Sequence, residues 1–404
     1  MADNQLDRAK QAVGPIGLVT PVGATAATRA PAPDEEWELP NGSARVYYGE
    51  GSDGISAPVL LADGFNLGPT DHDWLWAGLE NGQFPFISRL RARGRTVVLL
   101  GFDERSASIL DNAQTMIAAI QRTNAEQRGD TPLLVGGFSM GGMVARYALA
   151  KLEHDGIDHR TQVYLSYDTP HRGAWVPIGL QAFAQYVAPI DDTYARQINS
   201  DASQQMLWRH LDAVDGTPQE SVKRTEFLRA LHDVGGWPRR PRTLGIANGA
   251  GNGQGNQVPA GKDALSCAGP FFDQTRLITQ ARGSKVTVGE LAGVLGGPHT
   301  VTTSGFPELD GAPGGTLESF GILGDTLESF GEKVDLPYRS VCFVPSVSAV
   351  AVRDLDRQED LYVDIDSLSP EESELDEFVL SATNDPHTLM TEELGNWILE
   401  RLPS

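Results

Sequence analysis

Ser139 lies in a sequence pattern that can turn a serine hydroxyl into a nucleophile. Glycines stand two positions before and after it, in the segment Gly-Phe-Ser-Met-Gly at 137–141, and a further glycine follows. A serine at the tip of a sharp strand-to-helix turn requires such small neighbours, because the backbone passes close to itself there. The pattern alone could be an ordinary glycine-rich turn in a chain with 44 glycines. However, an apolar run enters it and a helical pattern leaves it, so we predict acyl-transfer chemistry at Ser139.

A nucleophilic serine needs a general base, and the position of His387 along the chain suits that role. The chain has eight histidines. His387 follows the last predicted strand and precedes the final predicted helix, within Asn-Asp-Pro-His-Thr at 384–388. We therefore predict that His387 is the base; the alternative is a structural or surface histidine.

The elements that would position these two residues alternate along the chain. Helical periodicity separates four short apolar runs, with Asp111 as the expected N-cap of one helix and another helix directly after Ser139. Runs of this kind suit strands that are buried on both faces of a parallel sheet, and they lie at 58–65, 96–103, 132–139 and 162–169. The alternation predicts an α/β fold with a doubly wound, mostly parallel sheet.

Interruptions of this alternation of strands and helices indicate the domain organisation. Residues 1–35, rich in Ala, Pro, Gly and Thr, are expected to form a loosely ordered N-terminal arm. Residues 36–173 and 241–404 are expected to form one catalytic domain, interrupted by a helical lid or cap at 174–240. The second part is predicted to hold a strand at 242–248, glycine-rich loops at 250–338, a last strand at 339–350 and a closing helix at 392–402.

Four segments together resemble the lipase and esterase branch of the α/β-hydrolases. They are ADGFN at 62–66, GFSMGG at 137–142, YDTPHRGA at 167–174 and NDPH at 384–387. The resemblance covers roughly residues 55–402, with 174–240 and 250–338 matching only loosely. It implies the α/β-hydrolase fold and cleavage of a carboxylic ester or a related acyl bond.

The resemblance also implies an oxyanion hole. Its two backbone N–H donors would come from Met140, the residue after the nucleophile, and from Phe65, with Gly64 next to the substrate. Asp63 stands where relatives often carry histidine, and this difference leaves the backbone N–H groups of the loop in place.

The acid that orients the histidine is left open between two aspartates. Relatives commonly carry it after the seventh strand, but here that strand runs into NGAGNGQGNQ, which has no carboxylate. Asp168 ends the sixth strand and is followed by Thr-Pro, similar to the arrangement in pancreatic-type lipases. Asp376 precedes His387 in SELDEF and could fold back onto it. Further alternatives are Asp385, Asp364 and Asp366.

Apolar residues after the sixth strand are expected to shape the substrate pocket. His171, in the lipase-like turn DTPHRG, is interpreted as a pocket-shaping residue rather than the base. Trp175, Val176 and Phe183 begin the helical insertion and would form an acyl-binding wall. The alternative for this stretch is simple helix packing.

Composition restricts the partners. A net charge of −22 argues against nucleic acid as the main partner. No apolar run is long enough to span a bilayer, and the start MADNQLDRAK is not a signal peptide. A cytoplasmic location is therefore expected; the alternative is a secreted chain whose leader has been removed, which would show the same sequence features. With only two cysteines, no disulfide framework is expected. The sequence shows neither metal-ligand spacing nor a phosphate-binding loop, so no cofactor is expected.

These observations predict a serine hydrolase that cleaves esters of small-molecule or lipid-like substrates through a Ser-His-Asp triad. Its acyl pocket would be apolar. An acyltransferase, a thioesterase or a peptidase would use the same groups. A non-catalytic binding protein of the same fold is the alternative from another class, although such a protein has no reason to keep a strained serine turn.

Overall fold

A computed structural model describes residues 29–403, so most of the expected N-terminal arm, residues 1–28, lies outside the described residues. Fifteen strands are numbered here in chain order: β1 Glu35–Leu39, β2 Gly42–Tyr47, β3 Val59–Ala62, β4 Val97–Phe102, β5 Leu133–Phe138, β6 Thr161–Tyr167, β7 Arg242–Ala250, β8 Asp263–Ala268, β9 Arg276–Ile278, β10 Val286–Gly293, β11 Gly296–Thr303, β12 Gly314–Leu317, β13 Lys333–Asp335, β14 Val341–Pro345 and β15 Glu377–Ser381.

Eight of these strands form one sheet in the order β1-β2-β4-β3-β5-β6-β7-β15. The first two strands run antiparallel to their neighbours, and the remaining pairs from β4 to β15 are parallel. Every residue of β3, β4 and β5 is buried, as their continuous apolar sequences predict for strands covered on both faces. The predicted α/β class and the four predicted strands are therefore confirmed.

Twelve helices lie in the described residues; some of them cover the two faces of this sheet and others pack elsewhere. The twelve helices are α1 His72–Glu80, α2 Phe86–Arg91, α3 Ile109–Glu126, α4 Met140–His154, α5 Ile178–Val187, α6 Thr193–Asn199, α7 Asp201–Met206, α8 Val222–Asp233, α9 Ser319–Ser329, α10 Ser346–Ala349, α11 Gln358–Leu361 and α12 Glu392–Leu399. Two 3₁₀ turns, Ile365–Ser367 and Pro370–Glu372, lie between α11 and β15. The N-cap of α3 is Ser108 rather than the expected Asp111, which lies in the first turn. Within residues 29–403 no helix combines the length and the apolarity that a membrane crossing requires.

The region expected to consist of glycine-rich loops contains a second sheet. Its five antiparallel strands lie in the order β11-β10-β9-β8-β13. Helix α5 approaches this sheet so closely at Gly179 that a Cβ there would contact the backbone oxygen of Val288 at less than 3.0 Å. The prediction of loops was wrong because these short strands are stabilised by pairing between segments, which local apolar periodicity does not report.

The last strand of the main sheet is β15, and not the predicted segment at 339–350. That segment contains β14, which is fully buried but pairs antiparallel with β12 in a separate two-stranded sheet. Strand β15 lies at the edge of the main sheet next to β7, and four of its five residues are only partly buried. Its apolar signal is weak because an edge strand is not covered on all sides.

Candidate active site

Ser139 lies at the turn between β5 and α4 in a strained backbone conformation. Its φ and ψ are 54° and −122°, a region that residues with a Cβ rarely occupy. A Cβ on Gly137 would lie closer than 3.0 Å to the backbone of Gly141, and a Cβ on Gly141 would lie equally close to the carbonyl oxygens of Ala62 and Asp63. The glycines are therefore required by close approaches of the backbone, as the sequence pattern predicts.

His387 and Asp168 form a buried pair on two neighbouring loops. The distance between His387 Nδ1 and Asp168 Oδ2 is 2.6 Å, and both side chains are almost fully excluded from solvent. The other carboxylate oxygen of Asp168 accepts a hydrogen bond from the backbone N–H of Asn248 at 3.0 Å. Because the carboxylate receives donors on both oxygens, it can hold Nδ1 in the protonated form and leave Nε2 as the acceptor.

Strand β12 fixes the loop that carries His387. The N–H of His387 donates to the carbonyl of Thr316, and the N–H of Thr316 donates to the carbonyl of Asp385. The side-chain oxygen of Asn384 accepts from the N–H groups of Ala250 and Gly314. This loop is therefore tied to β7 and to β12 by backbone contacts on both sides.

Glycine is required on β12 for a similar reason. A Cβ on Gly315 would lie closer than 3.0 Å to Oδ2 and to the carboxyl carbon of Asp168. The absence of a side chain at this position leaves space for the carboxylate that contacts His387.

The cavity at Ser139 has a volume of about 130 Å³. Ser139 and His387 both line it. The Nε2 atom of His387 is buried and has no hydrogen-bond partner among the described residues. An unpartnered buried nitrogen costs free energy unless a further group reaches it, so this atom indicates a position where a hydroxyl or a ligand is received.

Backbone N–H groups border the same cavity. Met140 is the first residue of α4, where an N–H has no acceptor within its own helix and the helix dipole is positive. Phe65 lies in the loop after β3, and its N–H donates to no backbone carbonyl of the part of the chain that the structure describes. A Cβ on Gly64 would lie 3.4 Å from Ser139 Cβ, so this loop runs directly beside the serine. The arrangement can accept negative charge on an oxygen near Ser139.

The Asp63 carboxylate is a structural part of this loop. It accepts hydrogen bonds from the N–H of Gly64 at 2.7 Å and from Thr70 Oγ1 at 2.8 Å. Arg105 lies 3.6 Å from the same carboxylate and donates to the carbonyls of Leu67 and Gly68. Burial raises the pKa of Asp63, and the Arg105 charge opposes that rise. Asp63 and Arg105 thus hold both ends of the loop segment that contains Phe65.

Asp376 is not near His387, which corrects its proposed role as an alternative acid. Its carboxylate accepts from the N–H of Thr243 at 2.7 Å and from the Thr243 hydroxyl at 2.9 Å. It therefore joins the beginnings of β7 and β15, whereas the histidine lies beyond the opposite end of these parallel strands.

His171 belongs to the core and not to the cavity wall. Its Nε2 lies 3.1 Å from the hydroxyl of Ser166, and its Nδ1 accepts from Arg146 at 3.3 Å. The ring packs against Trp237. Burial, with the nearby Arg146 charge, lowers the pKa of His171 well below its ordinary value, so the residue is a neutral packing group.

Two further expectations about the pocket are corrected. The indole N–H of Trp175 donates to the buried carboxylate of Asp310 at 2.7 Å, which turns this side chain into the core. Phe183 packs edge-on against Phe272 in the turn between β8 and β9. Neither lines the cavity at Ser139, because each finds partners elsewhere. Val176 borders a separate apolar recess behind that cavity.

Helix α1 supplies the cavity wall that the insertion was expected to supply. Trp74, Leu75 and Leu79 face the space next to Ser139, together with Phe343 and Leu317 from the small β12–β14 sheet. The segment HDWLWAGL, an apolar helix just after the loop that contains Phe65, is the signal in the sequence that would have indicated this wall.

No protein-family model and no curated protein sequence matches the chain. Solved structures match part of it. A Bacillus licheniformis lipase, BlEst2, in its mature form, is 14% identical with a TM-score of 0.31, covering 56% of this chain and 74% of that one. EstE1, a thermostable carboxylesterase from a metagenomic library, is 14% identical with a TM-score of 0.34, covering 61% and 74%. An esterase from Pyrobaculum calidifontis is 13% identical with a TM-score of 0.33, covering 52% and 65%.

The strand order of the main sheet, its antiparallel second strand and the strained serine between β5 and α4 are features of this chain itself. Together they define an α/β-hydrolase fold.

Proposed function

We propose that the protein is a serine hydrolase that cleaves carboxylic esters, with Ser139 as nucleophile, His387 as base and Asp168 as the orienting acid. One observation carries the proposal. A histidine whose Nδ1 is held by a buried carboxylate has an unpartnered Nε2, and it shares its cavity with a serine on a strained turn. This is the constellation that acyl transfer by a serine requires.

The reaction would proceed through an acyl-enzyme. Nε2 of His387 takes the proton of the Ser139 hydroxyl as the oxygen attacks the acyl carbon, and Asp168 stabilises the imidazolium that forms. The N–H groups of Met140 and Phe65 donate to the oxygen that becomes negative. The imidazolium then protonates the leaving alcohol, and the same histidine activates the water that releases the acid.

Ester hydrolysis is favoured over the alternatives by the nature of the cavity. Its walls are largely aromatic and aliphatic, from Trp74, Leu75, Leu79 and Phe343, which suits an uncharged acyl compound. Acyltransferase, thioesterase and peptidase reactions pass through the same acyl-enzyme. They differ in the group that attacks it, so adding alcohols or amines in competition with water distinguishes them.

Active-site labelling tests the proposal. The protein is treated with a small fluorophosphonate and its intact mass is recorded, together with Ser139→Ala and Ser329→Ala. Ser329 is an exposed serine on α9 that does not line the cavity, which makes it a matched control. We expect one adduct on the native chain and on Ser329→Ala, and none on Ser139→Ala.

Hydrolysis of p-nitrophenyl esters by the same three proteins completes the test. Loss of both labelling and hydrolysis in Ser139→Ala alone is the expected result. A native chain that neither labels nor hydrolyses any ester, or an adduct that persists in Ser139→Ala, would overturn the proposal.

A further inference from the structure

A second cavity lies directly behind the first. It is small, about 20 Å³, and separate from the cavity of about 130 Å³ that contains Ser139. Phe65, Leu317 and Phe343 line both spaces, so the two cavities adjoin at these side chains. The ring of Phe343 also packs edge-on against His387, with centroids 4.8 Å apart. The recess therefore begins beside the catalytic groups.

The far wall of this recess is aliphatic and comes from the segment after β6. Val176, Ile198, Met206 and Leu207 contribute to it, and all four are buried. Gln197 and Ser203 are the polar residues of the lining. The open cavity, in contrast, includes the charged residues Asp63, Asp71 and Arg105 in its lining. The two spaces thus differ in polarity as well as in size.

We propose that the recess receives the acyl chain of the substrate and that the enzyme is selective for short, straight acyl groups of about four carbons. This inference rests on the proposed function. With the carbonyl carbon at Ser139 and its oxygen at the N–H groups of Phe65 and Met140, the acyl substituent passes Phe343 into the recess. The alcohol then occupies the larger cavity, which has a polar rim and from which it can leave.

The size of the recess sets the chain length. A single water-sized group needs roughly 10–15 Å³, so a recess of about 20 Å³ admits the last one or two carbons of a chain. Each buried methylene is expected to raise kcat/KM about fourfold until the recess is full. Butanoate should therefore exceed acetate by roughly 15-fold, whereas hexanoate and longer chains should fall below butanoate.

The experiment compares p-nitrophenyl esters of two, four, six and eight acyl carbons. Ile198→Ala removes three carbons from the wall and should move the optimum to hexanoate, raising the hexanoate-to-butanoate ratio of kcat/KM at least tenfold. Ile87→Ala is the matched control, because Ile87 on α2 is equally buried but packs in a part of the core that contains none of the residues of the recess wall. We expect Ile87→Ala to keep the native preference. Ile198→Val provides a milder variant with a smaller shift in the same direction, should Ile198→Ala not fold.

Three outcomes would overturn the inference while leaving the serine hydrolase intact. One is a native preference for acetate or for octanoate. The second is an equal change of preference in the Ile198 and Ile87 variants. The third is a series of alkyl butanoates in which Ile198→Ala alters the preference for the alcohol instead of the acyl group. Failure of the proposed function is distinguishable from all three, since the native chain would then neither label at Ser139 nor hydrolyse any of the esters.

Discussion

Replacing Asp168 by asparagine should disable the base while leaving the fold intact. One oxygen of Asp168 accepts from the backbone N–H of Asn248, a contact that an asparagine oxygen can keep. The amide nitrogen would then face His387 Nδ1 at the position of the carboxylate oxygen that is 2.6 Å away. Because an amide nitrogen only donates, Nδ1 must become the acceptor, and the proton moves to Nε2. A histidine in that tautomer cannot take the proton of Ser139.

The expected loss can be estimated from the chemistry of such pairs. An asparagine in place of the orienting aspartate lowers kcat about 10⁴-fold in a serine hydrolase of another fold. At about 1.4 kcal/mol for each factor of ten, this is about 5 kcal/mol of transition-state stabilisation. Because Asp168 is completely buried, no water can replace its carboxylate and the full loss is expected here.

The assay is kcat/KM for p-nitrophenyl butanoate at pH 7, with the far-UV circular dichroism spectrum and the melting temperature as checks on folding. Asp376→Asn is the matched control, because its carboxylate contacts Thr243 instead of the histidine. It should keep kcat/KM within about threefold and lower the melting temperature by no more than a few degrees, since a charge-assisted hydrogen bond of a solvent-exposed residue is weakened. An Asp168→Asn enzyme that keeps a tenth or more of native activity would refute the assigned role of Asp168.

Three further outcomes follow from contacts described above. Gly315→Ala should lower kcat/KM at least about 100-fold in the same ester assay, because the added Cβ displaces Asp168. Gly297→Ala is the control and should leave kcat/KM unchanged, because a Cβ there meets nothing within 4 Å. Asp63→Asn should lower kcat about 10- to 100-fold with little change in KM, because the loop that contains Phe65 loses the ion pair between Asp63 and Arg105. A higher KM with normal kcat would contradict this. Burial raises the pKa of Asp310 from 3.8 to about 6, so its contribution to stability is present below pH 3.8 and is lost as the pH rises through 6. In urea unfolding between pH 4 and 7, the free energy of unfolding of the native protein should fall by about 3 kcal/mol more than that of Asp310→Asn. Free energies of unfolding that fall in parallel for the two proteins would exclude this effect of Asp310.

The centre of the fold could be predicted because its determinants are local. Strands β3 to β5 are fully buried and β6 is buried except at one residue, so their sequences are nearly continuous apolar runs. Ser139 requires small neighbours at fixed positions, which are visible in a five-residue window. The edge strand β15 could not be recognised in the same way, because partial exposure and acidic neighbours dilute its apolar pattern.

Which aspartate contacts His387 could not be decided from the sequence. Asp168 is 219 residues away from His387 along the chain, whereas Asp376 is its near neighbour in sequence. In space the distances are the reverse of the sequence separations, because β6, β7 and β15 run parallel. Asp168 and His387 both follow the carboxyl ends of their strands and meet there, whereas Asp376 precedes β15 at the opposite edge of the sheet. Only the strand order distinguishes the two candidates.

The pocket wall was misassigned for a different reason. An apolar side chain such as Trp175 is equally compatible with a ligand pocket and with the protein core. What turns it inward is the buried carboxylate of Asp310, which accepts its indole N–H from far along the chain. The sequence contains both residues but not their proximity.

The anchoring of the histidine loop to β12 limits how far this protein could be reduced in size. A shortened enzyme made by joining β7 directly to β15 would keep the eight-stranded sheet, but it would lose Thr316, whose backbone pairs with Asp385 and His387. It would also lose the glycine that leaves space for the Asp168 carboxylate. The segment between these two strands is therefore an integral part of the candidate active site, and it is not an independent module that could be exchanged.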